Sequence, residues 1–168
     1  MKKMIIGLIS DTHDNLPAVE KAIAKLNEEK VELVLHAGDY VAPFVIPKFK
    51  KLNSELVGVF GNNDGDHEFL KKQFRETHNC TMKGRFAEVD ADGCKIALLH
   101  GDEKELLDAL INCEGFDIIV HGHSHMHVSR KNGKTLIINP GEVCGYLTGK
   151  ATIALLDTKR RVAKIVEI

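Results

Sequence analysis

Nine histidines stand in this chain of 168 residues, and four of them, His121, His123, His125 and His127, share one short stretch. Imidazole is the commonest protein metal ligand and a ready proton carrier, so such clustering directs attention to metal or acid–base chemistry. Five short polar segments carry metal-capable side chains. They are Ser10-Asp11-Thr12-His13, Gly38-Asp39, Gly61-Asn62-Asn63-Asp64, His100-Gly101 and Gly122-His123-Ser124-His125. Asp11 and His13 are two apart, so on an extended exit from a strand both point the same way, as do His123 and His125. Mixed carboxylate and imidazole ligands suit manganese, iron, nickel or zinc better than calcium or magnesium alone. Asp39 has two carboxylate oxygens and could bridge two cations; Asn62 adds a carbonyl oxygen and His100 another imidazole. Together they form a set of two carboxylates, one amide and four imidazoles. That is too many for a single cation with an open position, and suited to a pair.

Each segment has a plainer reading when taken alone. Asp-x-His occurs in many surface loops, Gly-Asp is commonly a turn, and His100 after an apolar run fits a hydrogen-bonded core histidine. The context of the five together decides. Met4 to Ile9, Val31 to Leu35, Leu56 to Phe60, Cys94 to Leu99 and Phe116 to Val120 are short apolar runs, each of which leads into one of these segments. Sites in α/β sheets form beyond the carboxyl ends of strands, so segments distant in sequence can converge at one rim. Asn15 offers an N-cap to a helix with Leu16, Val19, Ala22, Ile23 and Leu26 on one face. A helix containing Pro47, with Phe44, Phe49 and Leu52 on one face, follows the second strand, and Leu106, Leu107, Leu110 and Ile111 mark another. Asp92-Gly93 and Asn132-Gly133 predict hairpins, and 151–156 with 162–168 a third. One domain over residues 1–168 is expected, of α/β class, with an α/β first half and a meander-like second.

Composition removes several classes of function. Lys and Arg number 23 against 24 Asp and Glu, so no global positive field exists to hold nucleic acid by bulk charge. The four cysteines, Cys80, Cys94, Cys113 and Cys144, form no Cys-x-x-Cys pair, which excludes a zinc ribbon and a disulfide scaffold and fits a reducing cytoplasm. The apolar run after Met1-Lys2-Lys3 is too short for a signal-peptide core, and nothing approaches the ~20 apolar residues of a membrane span.

In this order, Asp-x-His, Gly-Asp, Gly-Asn-x-Asp, His-Gly and Gly-His-x-His resemble the calcineurin-like metallophosphoesterase superfamily. Asn139-Pro140-Gly141-Glu142 and the short length resemble its small bacterial and archaeal phosphodiesterase branch. The resemblance implies a four-layer sandwich of two mixed β-sheets flanked by helices. It also implies two divalent transition metal ions per chain, manganese first among manganese, nickel, iron and zinc. Asp11, His13, Asp39 and His125 would hold one, and Asp39, Asn62, His100 and His123 the other, with Asp39 and a hydroxide bridging. The implied reaction is hydrolysis of a small-molecule phosphate diester by attack of that hydroxide in line with the departing alkoxide.

One position departs from the pattern. Many members carry a His after Gly-Asn that protonates the leaving group; here Asn63 stands, with Asp64, the expected partner of that His, retained and now expected to hold Asn63. An amide donates hydrogen bonds but is no acid, so activated diesters should be hydrolysed and natural alkoxide leaving groups should need another donor such as His67. His36 and His121 are expected as buried supports of the site, His127 as exposed, and Cys144 as a small packed residue. The competing readings are a non-catalytic scaffold of the same fold, as in the retromer subunit, and a phosphomonoesterase. Nucleic acid would be a substrate only as a short diester, and a homodimer or higher assembly is expected.

Overall fold

The computed structural model describes residues 4–168, so Met1-Lys2-Lys3 and the leader argument built on it lie outside the described residues. Two mixed sheets stack face to face. The first has six strands in the order β11-β10-β1-β2-β3-β4: β1 (Ile5–Ile9), β2 (Leu33–His36), β3 (Glu55–Gly58), β4 (Cys80–Met82), β10 (Thr152–Asp157) and β11 (Val162–Glu167). The second has five in the order β5-β6-β7-β9-β8: β5 (Phe86–Ala91), β6 (Cys94–Leu99), β7 (Ile118–Val120), β8 (Val128–Asn132) and β9 (Thr135–Asn139). Strands β1 to β4 run parallel, as do β6, β7 and β9, while β10, β11, β5 and β8 are antiparallel to their neighbours.

Side chains alternate between faces with period two, and this alternation divides the interior. Ile6, Leu8 and Leu35 meet Ile96, Leu98, Ile118, Val120, Leu136 and Ile138 in the layer between the sheets. Ile9 and Val34 face the opposite way, toward Val19, Ile23 and Leu26 of α1 (Leu16–Glu28) and toward Phe49, Leu70 and Phe74. On the far side, Ala97, Leu99, Ile119 and Ile137 cover Ile111 of α3 (Lys104–Asn112). The result is helix, sheet, sheet, helix.

Three elements differ from the sequence expectation. Residues Pro43–Lys51 form a 3-10 segment, because Pro47 inside it has no N–H to give an α-helical ladder. Its tighter winding buries Val45, Ile46 and Phe49 and leaves Phe44 exposed, where an α-helical face had been expected. The pair α2 (His67–Glu76) and β4 had no counterpart in the sequence reading. Only Leu70 and Phe74 of α2 are buried, and three residues of β4 are too few to show a period. The usable signal was Asp66, whose carboxylate caps α2 by accepting the Phe69 N–H at 3.0 Å. Among the described residues no helix is long and apolar enough to cross a membrane.

Candidate metal centre

The carboxyl ends of β1, β2 and β3 in one sheet, and of β6 and β7 in the other, open onto a common rim. Hydrogen bonds stitch the five loops there together. The Asp11 N–H donates to the Gly38 carbonyl at 3.0 Å, and Thr12 and His13 both donate to the Asp39 carbonyl at 3.1 Å. Across the second sheet the Gly122 N–H donates to the His100 carbonyl at 2.8 Å. Gly122 is where the two sheets' loops touch: a Cβ there would stand 1.9 Å from Ser10 Oγ and 2.7 Å from Asp11 Oδ2. A Cβ on Gly61 would stand 2.1 Å from Asp39 Oδ1. No residue with a side chain fits either position.

All seven residues expected as ligands enter one connected group. The His13 Nε2 lies 3.7 Å from Asp11 Oδ1 and 3.3 Å from Asp39 Oδ2, and the His100 Nε2 lies 3.3 Å from the same Asp39 oxygen. His125 Nε2 approaches Asp11 Oδ1 at 3.4 Å. On the exposed lip, Asn62 Oδ1 and His123 Nδ1 meet at 3.0 Å, the His123 N–H donates to Asp11 Oδ2 at 3.2 Å, and the His123 ring lies edge-on to His100. Asp11, His13, Asp39, His123 and His125 all have φ between 38° and 67°. Left-handed backbone costs a non-glycine residue of order 1–3 kcal/mol, and such strain gathers at functional sites.

Three of these atoms test whether the group fits a cation. Asp11 Oδ1, His13 Nε2 and His100 Nε2 are buried without a hydrogen-bond partner, although acceptors and imidazoles lie within ion-pair distance. Buried polar atoms are costly unless paired. The His100 Nδ1 lies 2.8 Å from the Ala37 carbonyl and so carries a proton there, which makes Nε2, 3.3 Å from Asp39, the atom that a neutral ring offers to a cation. Hard and borderline donors at this spacing fit divalent transition metals.

The charges follow from the same contacts. The carboxylates of Asp11 and then Asp39 beside its ring raise His13 to about 10, against the desolvation that opposes it. Burial would push the Asp39 carboxyl up, but His100 and His13 outweigh it and hold it well below the usual range. In metal-free protein the His13 contribution to stability is full below the ordinary imidazole value near ~6.5 and is lost as pH rises through about 10. A cation must displace that proton, so metal affinity should increase with pH. Titrating metal-free protein with Mn²⁺ in weak buffer at neutral pH, with an indicator dye, should show proton release; its absence would mean His13 is not displaced.

Supporting residues separate by what they touch. Asp64 accepts the N–H groups of Asp39 (3.0 Å), Gly61 (2.7 Å), Tyr40 (2.7 Å) and Val41 (2.8 Å), the last at φ 73°. Burial pushes its carboxyl up, with the N–H bonds opposing. Asp64 therefore clamps the backbone of the Asp39 and Asn62 loops. The side chain of Asn63 is held by Asp39 instead, Nδ2 donating to Oδ2 at 2.7 Å and the Asn63 N–H to Oδ1 at 2.9 Å. That corrects the expectation that Asp64 holds Asn63, because four N–H donors occupy both Asp64 oxygens. His67 stacks flat on Phe60 with centroids 4.0 Å apart. His36 is fully buried and accepts the Gly38 N–H at 3.0 Å, and burial holds it well below its ordinary value. His121 is partly buried and His127 exposed.

Sequence reasoning assigned no role to Glu142. Its side chain is fully buried and its Oε2 meets His125 Nδ1. Burial alone would raise this carboxyl, but His125 and the Thr148 N–H bring it down to about 2. The available signal was an acid set in the otherwise apolar and small Pro140-Gly141-Glu142-Val143-Cys144. Cys144 beside it is buried, as expected, with its thiol pushed up to about 12 by burial.

Comparison with known proteins agrees with this geometry. Residues 4–161 match the calcineurin-like phosphoesterase superfamily domain. A phosphodiesterase of Methanocaldococcus jannaschii is 41% identical over 158 residues, covering 94% of this chain and 95% of that protein. A solved archaeal phosphodiesterase superposes with a TM-score of 0.93 at 39% identity, over 98% of this chain and 100% of that one. The Vps29 protein of Entamoeba histolytica shares the fold alone, with a TM-score of 0.71 at 18% identity over 98% and 99% of the two chains. With the motif order, the two stacked mixed sheets and the rim of acids and imidazoles in place, the chain belongs to the calcineurin-like phosphoesterase superfamily.

Proposed function

We propose that this protein hydrolyses small phosphate diesters with two divalent cations, manganese first, held at the rim. One would take Asp11, His13, Asp39 and His125, the other Asp39, Asn62, His100 and His123. The observation that carries the reading is the trio of buried, unpartnered donor atoms Asp11 Oδ1, His13 Nε2 and His100 Nε2 gathered around Asp39. The similarity to archaeal phosphodiesterases supports diesters as the substrate class. Bound there, the cations would supply an activated water near neutral pH and positive charge for the phosphoryl oxygens.

The chain's own contribution is positioning. Asp39 stands between the two halves of the group and can serve both. Asp64 fixes the loops that present Asp39 and Asn62, and Gly61 and Gly122 let those loops close around the acids. Asn63 commits its amide to Asp39 rather than to a departing alkoxide, so no acid in the Gly61–Asp64 segment is free to protonate the leaving group. Esters whose leaving groups depart without a proton are then the favoured substrates. The unpaired thiols agree with a cytoplasmic setting.

Elemental analysis and two chromogenic esters test this. The purified protein should take up two divalent cations per chain, lose turnover on chelation and regain it with Mn²⁺. It should hydrolyse bis(p-nitrophenyl) phosphate faster than p-nitrophenyl phosphate. Metal uptake without turnover of either ester would favour the scaffold reading, and preference for the monoester a phosphomonoesterase.

A further inference from the structure

The most densely bonded acid at the rim is one that touches only a single ligand candidate. Both Glu142 oxygens are fully engaged. Oε2 meets His125 Nδ1, the Cys144 thiol at 3.1 Å and the Leu147 N–H at 3.2 Å. Oε1 accepts the Leu147 N–H at 2.9 Å, the Thr148 N–H at 2.6 Å and the Thr148 hydroxyl at 2.8 Å. A carboxylate has no proton to give, so the His125 Nδ1 must be the donor, and in the neutral ring that a cation binds, Nε2 is then the atom with the lone pair. That Nε2 is the atom lying 3.4 Å from Asp11 Oδ1.

We propose that Glu142 is a positioning residue for His125. Its buried carboxylate selects the imidazole form that presents Nε2 as a ligand, and it ties that ring to the 145–149 loop. The inference rests on the reading of His125 as a metal ligand. Two further contacts fix the carboxylate's own place. The Val143 N–H donates to the Ser10 carbonyl and the Cys144 N–H to the Asp11 carbonyl, each at 3.0 Å, so Glu142 is anchored to the loop that carries Asp11 and His13. On its other side the held loop turns through Gly145 and Gly149, both at positive φ, and carries the exposed Tyr146 and Leu147. The polar links therefore run from an exposed loop, through one buried acid, to one ligand of one cation. The His100 and His123 side of the centre has no contact with Glu142 among its polar partners above.

Glu142→Gln keeps the shape and removes the charge, which leaves one amide group facing donors. Equilibrium dialysis against stepped Mn²⁺ with elemental analysis should then show one of the two cations bound about 10–100-fold more weakly, with the other unchanged. Glu142→Asp, which keeps the charge but retracts the carboxylate, should weaken the same cation. Unchanged affinity for both cations in a folded variant would overturn the proposal, and so would equal weakening of both. A third measurement needs no substitution: imidazole ¹⁵N shifts of the wild-type protein should report His125 in the Nδ1–H form, and an Nε2–H form would overturn the proposal even if both variants failed to fold. Wild-type protein that takes up no Mn²⁺ would instead overturn the metal reading itself, a result distinguishable because it precedes any variant.

Discussion

Asp39→Asn should leave a folded protein that has lost nearly all of the proposed diester hydrolysis and at least one of the two proposed cations. Asp39 is buried, and its Oδ2 lies 3.3 Å from both His13 Nε2 and His100 Nε2, so one oxygen faces an imidazole from each half of the proposed centre. Asn has the same outline, which matters because the Gly61 backbone packs directly against this side chain. What it lacks is the charge and the second acceptor. The loss of turnover should exceed the about 10–100-fold typical when a residue that merely hydrogen-bonds a ligand is removed. Stability should fall as well, by about 1–3 kcal/mol, because both Asp39 oxygens accept from Asn63 and an amide nitrogen would confront one of those donors. Metal content, initial rates and a thermal melt read the three effects separately. A variant with two cations and ordinary turnover would remove Asp39 from the centre.

Asn63→His should act in the opposite direction, and selectively. An imidazole here could protonate a departing alkoxide, a service generally worth ~10²–10⁴ in rate. The gain should lie at the lower end, about 10²-fold, for two structural reasons. The substitution removes the Asn63 bond to Asp39, and Asp64, the residue that would orient the new ring, has both oxygens taken by four backbone N–H groups. The increase should therefore appear with alkyl diesters and be nearly absent with bis(p-nitrophenyl) phosphate, whose leaving group departs unprotonated. A new descending limb near the imidazole value should appear in the pH profile of the alkyl ester. Equal changes on alkyl and aryl esters would show that leaving-group protonation is not what this position limits.

That these residues come together at one rim was legible because metal chemistry would demand unusual side chains at unusual places. Alternating histidines in a loop such as Gly122-His123-Ser124-His125 have little structural use, and five strand ends with metal-capable side chains in one chain are hard to explain otherwise, although Asp-x-His or Gly-Asp alone is common. The strands that deliver them were legible for a related reason: a run buried on both faces, such as Ile5–Ile9 or Ile118–Val120, has to be continuously apolar. The helix containing Pro47 was legible but its 3-10 winding was not, because an apolar face does not show which ladder a proline allows, and α2 was missed because only Leu70 and Phe74 reach the core.

By itself the sequence determined the types of the metal-capable side chains, their order at the strand ends and the presence of Asn63, an amide with no proton to give, after Gly61-Asn62. These are properties of single residues and short local patterns. Only the tertiary structure decided who holds whom: that Asp64 grips backbone N–H groups while Asn63 turns to Asp39, and that Glu142 reaches His125. Such pairings join positions far apart in the chain, and a hydrogen bond depends on distances and directions that exist only once two stacked sheets have brought their loops to one edge.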